Sequence, residues 1–172
     1  KSKGFRAPTF SLDYSTSWAI DVLEENGYVY DSSIVPAKTI MYGMPDAEQK
    51  PYKISSDMMS KNDPNGKLIE FPLLVMSIFG KKIPVAGGFY LRTLPIKMIT
   101  ATIKKFEKLC IPSTFYIHSW ELVPELMPKV SLSIMNNFIT YHNLAKTPTR
   151  MDQLVQKFEF TSFEKFLSNS KF

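Results

Sequence analysis

Apolar side chains recur at Ile96, Ile99, Ile103, Phe106 and Cys110, while Lys97, Lys104, Lys105 and Lys108 fall on other faces. That spacing predicts a helix with a single apolar stripe over residues 95–110. Pro95 fits its first turn, where a missing N–H costs nothing. A second helix is expected over residues 14–26. Asp13 can cap it, Trp18, Ala19, Val22 and Leu23 share a face, and Gly27 provides the stop. A third starts at Thr147-Pro148, with Met151, Leu154, Val155 and Phe158 as its buried stripe. Between these lie shorter, strand-like runs: residues 3–7, Tyr28–Tyr30, Leu68–Phe71, Leu73–Phe79, Ile83–Val85 and Thr114–Ile117. The "FGKK" stretch reads as a turn, and Gly87-Gly88 as a break. Four prolines and Gly66 make residues 34–66 a long irregular excursion, a length usually reserved for functional or mobile loops.

Twice a helix returns directly to a strand, at 14–26 into 28–30 and at 95–110 into 114–117. This is the pattern of a layered α/β fold, and a parallel sheet or barrel accommodates both returns. The 172 residues fit one domain with a real core, at 44% apolar and 22% charged. The apolar run Leu73–Met76 soon meets Ser77 and is far too short to span a bilayer. The chain opens at Lys1, already inside a strand and its exit loop. It therefore reads as a fragment lacking its N-terminal strands, and the absence of a leader leaves cytoplasm and cell envelope equally open.

Charge changes the picture little. Twenty-one basic and 16 acidic residues give +5, but the lysines are scattered, without a nucleic-acid motif. No nucleic-acid partner is expected; an anionic polymer or surface stays open. Cys110 is alone, so no internal disulfide or cysteine metal site forms, and it is expected as a small core residue.

Three reactive side chains fall at or just past strand ends: Arg6, Asp31 and His118. In a barrel of parallel strands these ends open on one face. An Asp accepting from one imidazole nitrogen would hold the ring. The plainer alternatives stand beside this. Strand exits meet water and are commonly polar, and Asp31-Ser32-Ser33 can simply turn the chain. Trp120 can be packing, and Glu121 lacks the partner carboxylate of a glycosidase. His142 is assigned no role, and two separated histidines make no zinc site.

Five stretches occur in the order and spacing of one family: "GFRAPTFS" (4–11), "YDSSI" (30–34), "EFPL" (70–73), "PVAGGFYLR" (84–92) and "FYIHSWEL" (115–122). The chain resembles the C-terminal portion of NodB-type polysaccharide deacetylases (carbohydrate esterase family four), in the subgroup linked to exopolysaccharide loci and exosortase systems. The tail "NNFITYHNLAKTPTRMDQLVQKFEF" is similar to that subgroup's ending, so the resemblance spans nearly all of residues 1–172. It implies part of a distorted (β/α) barrel and metal-dependent hydrolysis of N-acetyl groups on an amino-sugar polysaccharide or oligosaccharide. A divalent ion, zinc in most of the family, would polarise the carbonyl. By motif, His118 matches the acid that protonates the departing amine. Arg6 matches the arginine that orients the aspartate base. Asp31 lies near the acidic residue that tunes the histidine, without the family's fuller Asp-Trp pattern. Tyr90, Trp120 and Glu121 would line the sugar groove. The Thr-Phe-Asp-Asp stretch and paired histidines that supply base and metal ligands are absent, so no metal ligand is expected here. Ser119 stands where the subgroup has proline. Two other functions remain open: a non-catalytic carbohydrate-binding module using Tyr90 and Trp120, and an amidase of small cyclic amides sharing "RAP" and "HxWE".

Overall fold

The computed structural model of the protein describes residues 2–169; Lys1 and residues 170–172 of the expected domain lie outside the described residues. Strand β1 (Gly4–Phe5) pairs in parallel with β2 (Tyr30–Asp31), and β2 with β4 (Leu68–Glu70). Strand β3 (Tyr52–Ile54) runs antiparallel along the far side of β4, giving the order β1-β2-β4-β3. Past Glu70 the parallel direction persists as a single bridge between Leu73 and Thr114. A hairpin, β5 (Val75–Ile78) with β6 (Lys81–Pro84), forms a second sheet. It turns at Phe79 and Gly80, both with positive φ (47° and 75°), as a two-residue hairpin requires. The architecture is mixed α/β; the described residues form two small sheets and no closed barrel. Among them no helix is long and apolar enough to cross a membrane.

Helix α1 (Trp18–Glu25) is shorter than its periodicity predicts, because Asp13 caps a separate turn at Tyr14–Thr16. Its inward face is also displaced. Ile20 and Leu23 are buried, whereas Trp18 (63% exposed) and Val22 (45%) face outward. Helix α3 (Ile96–Lys108) buries Ile99, Ile103 and Phe106 as the stripe requires. Cys110 does not join them. The backbone has already left the helix and turns left-handed there (φ 55°), so the thiol is exposed rather than in the core.

Residues 89–91 belong to α2 (Gly88–Thr93). The strand expected at Thr114–Ile117 reduces to the Thr114 bridge, since residues 115–117 have no pairing partner among the described strands. The 34–66 stretch is less irregular than its prolines suggest. It carries β3 and puts Ile34, Val35, Ala37, Met44, Ala47 and Met59 in the interior.

Two apolar clusters result. One gathers Leu74, Val85, Leu91, Ile99 and Leu154 around α3 and α5 (Thr147–Val155). On α5, Leu154 is buried and Val155 is not. The other gathers Ile20, Ile34, Tyr52, Ile54 and Leu68 beneath α1. Helix α4 (Ile134–Tyr141) buries no residue. Helix α6 (Phe163–Asn169) closes over the parallel strands, with Phe163 stacked on Phe71 at 4.4 Å between centroids. Lys3 and Glu164 pair at 2.7 Å.

Candidate functional site

The parallel register delivers three polar groups to one end of the sheet. Arg6 follows the last residue of β1, Asp31 ends β2 and Glu70 ends β4, with Asp31 opposite Glu70. Both carboxyls are fully buried. Ser33 Oγ donates to Asp31 at 2.8 Å, and the Ile34 N–H donates to Glu70 at 3.0 Å. Burial pushes Asp31 up, against the opposing pull of its hydrogen bonds. Burial, then the neighbouring Asp31 charge, push Glu70 well above the usual range. Asp31 Oδ2, buried beside Glu70, accepts no hydrogen bond from the described residues.

Above this pair the Arg6 guanidinium is anchored to the next turn of chain. Nε donates to the Ser32 carbonyl at 2.7 Å and Nη2 to Ser32 Oγ at 2.6 Å. Its Cζ lies over the Tyr116 ring, 4.9 Å from the centroid. Burial lowers its pKa, and the Glu70 and Tyr116 charges oppose that. Tyr116 in turn reaches His118, its hydroxyl 2.5 Å from Nε2 and 3.0 Å from Nδ1. The two residues are two apart, and along extended backbone that spacing puts both side chains on one side. The exposed imidazole stacks on Trp120, 5.1 Å between centroids and 19° between planes. Arg6 and His118 therefore meet through Tyr116, although 112 positions separate them. Asp31 takes a different place. Its carboxyl accepts from Ser33 and lies beside Glu70, while the imidazole bonds Tyr116.

Glu121 is buried and committed. One oxygen pairs with Arg92 and the other accepts the His118 N–H at 2.9 Å. Arg92, on α2 and itself buried, also donates to the carbonyls of His142 at 2.8 Å, Thr140 at 3.1 Å and Ile139. Burial lowers its pKa while Glu121 raises it. The carboxylate comes so close to Gly88 that a Cβ there would sit 1.9–2.1 Å from its atoms. Gly88→Ala is expected to push Glu121 off Arg92 and destabilise the fold by about 1–3 kcal/mol. A urea midpoint indistinguishable from wild type would show that the carboxylate moves aside freely.

These groups border a cavity of about 310 Å³, with Phe10, Tyr42, Tyr90, Tyr116, His118 and Trp120 in its walls and Glu121 and Arg92 among its deeper lining. Burial raises the Tyr90 and Tyr42 phenols, so both present protonated hydroxyls. The cavity is thus aromatic and hydroxyl-lined, and its one buried ion pair is internally neutralised. Among the described residues no three His, Cys, Asp or Glu side chains gather as a metal site would need.

Sequence reasoning did not single out Tyr116, Glu70 or Arg92 as site residues. Tyr116 had a usable signal, a polar aromatic two residues before the histidine. Glu70 had another, an acid inside the apolar "LIEFPLL" run. Arg92 pairs over 29 positions, which no local pattern encodes.

A family model described as a domain of unknown function (DUF3473) matches residues 32–168. That span includes Glu70, Tyr90, Arg92, Tyr116, His118, Trp120 and Glu121; Asp31 lies just before it and Arg6 well before it. No curated protein and no solved structure matches the chain. With most of its length covered by that match, the chain belongs to the DUF3473 family.

Proposed function

We propose that the chain supplies the acid and sugar-binding side of an enzyme that removes N-acetyl groups from an amino-sugar polysaccharide. The observation that carries this is that Arg6 and His118 both pack on one residue, Tyr116, which with His118 lines an aromatic cavity, while Arg6 braces Tyr116 from outside that lining. The motif resemblance to polysaccharide deacetylases and a parallel sheet with polar strand ends support the same reading. In this reading β1 has one neighbour among the described strands and leaves its other edge open to a further barrel strand.

Hydrolysis adds the water oxygen to the acyl carbon, breaks the C–N bond and delivers a proton to the departing amine. In this reading His118 gives that proton, which its exposure beside the cavity and the contacts of its ring with Tyr116 and Trp120 support. Trp120 and Tyr90 offer flat apolar faces to a sugar ring, and the phenols of Tyr42 and Tyr90 offer donors to its oxygens. Glu121 acts from behind by holding the His118 backbone. The divalent ion that the resemblance implies does not fit the residues described. Asp31 and Glu70 are buried against each other, and no third ligand joins them. In this reading its ligands, and the base, come from outside residues 1–172.

The test is acetate release from chitooligosaccharides, with zinc supplied, by the protein extended through the polypeptide encoded upstream. Expected is turnover that falls about 10²- to 10⁴-fold in His118→Ala, and none from residues 1–172 alone. Activity indifferent to His118→Ala would overturn the assignment. Because the described residues offer no metal cradle, a binding module without chemistry is the second reading. It predicts oligosaccharide binding that Trp120→Ala weakens and His118→Ala leaves intact, with no acetate released by any form.

A further inference from the structure

The hydroxyl of Tyr116 is closer to one imidazole nitrogen of His118 than to the other, 2.5 Å to Nε2 against 3.0 Å to Nδ1. Its ring is also unusually well braced. Arg6 covers one face at 4.9 Å, and Phe10 packs edge-on at 5.2 Å and 87°. The imidazole cannot easily turn away either, because Trp120 stacks against it. A phenol carries a single hydrogen, and the neutral imidazole offers a single acceptor nitrogen. Two pairings fit the short contact, a phenol donating to a bare Nε2 or an Nε2–H donating to the phenol oxygen, and only the first uses the phenol's own hydrogen.

We propose that Tyr116 is the positioning residue of His118: its hydroxyl donates to Nε2, fixing the orientation of the neutral ring and confining its proton to Nδ1. The nitrogen facing Tyr116 is thereby the basic one, and Nδ1 is the ring's hydrogen-bond donor. Burial keeps the phenol in its protonated, donating form, while Arg6 draws it the other way. Arg6 thus has a second duty besides its bonds to Ser32, that of bracing the aromatic ring which steers the histidine. For catalysis the inference rests on the reading of His118 as the acid; the hydrogen bond itself does not.

The chain has two histidines, His118 and His142. In the protein labelled with ¹⁵N-histidine, long-range ¹H–¹⁵N correlation at a pH where the rings are neutral reads the tautomer of each. His142→Gln assigns the remaining signals to His118. The Nδ1–H tautomer is expected to dominate at His118 in the wild type. In Tyr116→Phe, which keeps the packing and loses the hydroxyl, the ratio of Nδ1–H to Nε2–H should fall about three- to tenfold, as loss of one hydrogen bond of ordinary net strength implies. An unchanged ratio in Tyr116→Phe, or an Nε2–H ring in the wild type, overturns the proposal. The wild-type spectrum alone decides the second point, so a variant that folds poorly cannot shield the idea. No substrate enters this measurement. A Tyr116-dependent tautomer in a protein without deacetylase activity would reject the proposed function and keep this inference; activity with a Tyr116-independent tautomer would do the reverse.

Discussion

Arg92→Met is expected to destabilise the protein by about 3–5 kcal/mol, among the largest losses available to a single substitution here. The reason is what the change leaves behind. Glu121 would remain as a buried carboxylate with its cation gone, and the carbonyls of Ile139, Thr140 and His142 would lose their donor. The double variant Arg92→Met, Glu121→Gln should recover part of the loss, because the orphaned charge is removed with its partner. Chemical denaturation of the two variants checks both statements. A single variant within about 1 kcal/mol of wild type would mean that water reaches Glu121 and that the pair is not the keystone of this wall.

The second large effect is a dependence on pH set by Asp31 and Glu70. Both have raised pKa values in the folded state, from burial first and, for Glu70, from the adjacent Asp31 charge. The folded protein therefore keeps a proton that the unfolded chain releases above the ordinary Glu value of 4.5. With more protons bound to the folded form, stability falls as pH rises through that window, by up to about 1.4 kcal/mol per pH unit for each proton retained. The melting temperature should accordingly be higher near pH 5 than near pH 8. Glu70→Gln should flatten the slope, since an amide can still accept from the Ile34 N–H and cannot ionise. Asp13 and Asp63 are shifted down by their hydrogen bonds and act oppositely, losing their contribution only as pH falls below the carboxylate range. A wild-type melting temperature that is flat or rising between pH 5 and pH 8 would contradict a shared, buried proton.

Local pattern carried some elements well and others not at all, and the division is physical. Helix α3 was legible because its stripe packs on one continuous core and nothing competes with it. The hairpin β5–β6 was legible because turn chemistry and strand propensity agree. Helix α1 was legible in existence but not in phase. Periodicity admits either of two adjacent faces, and the choice fell to Ile20 through its contacts with distant residues such as Ile34 and Ile54. Helix α4 was not read from the sequence: its apolar side chains stay outside the two cores, and it is held by Ser133 at its start, Arg92 at its end and Phe138 packing edge-on against Phe89. In the site, Arg6, Asp31 and His118 were visible as polar residues at strand ends. What joins them was not. The Asp31–Glu70 pairing follows from sheet register, and the Arg6–Tyr116 contact from where an unpaired segment settles across the sheet end. Neither is written in the spacing along the chain.

The contact between Lys3 and Glu164, reinforced by Phe163 lying against Tyr30 and Phe71, brings the segment that enters β1 and helix α6 to a common place. Any stretch fused before the first strand and any stretch fused after the last helix would emerge as neighbours.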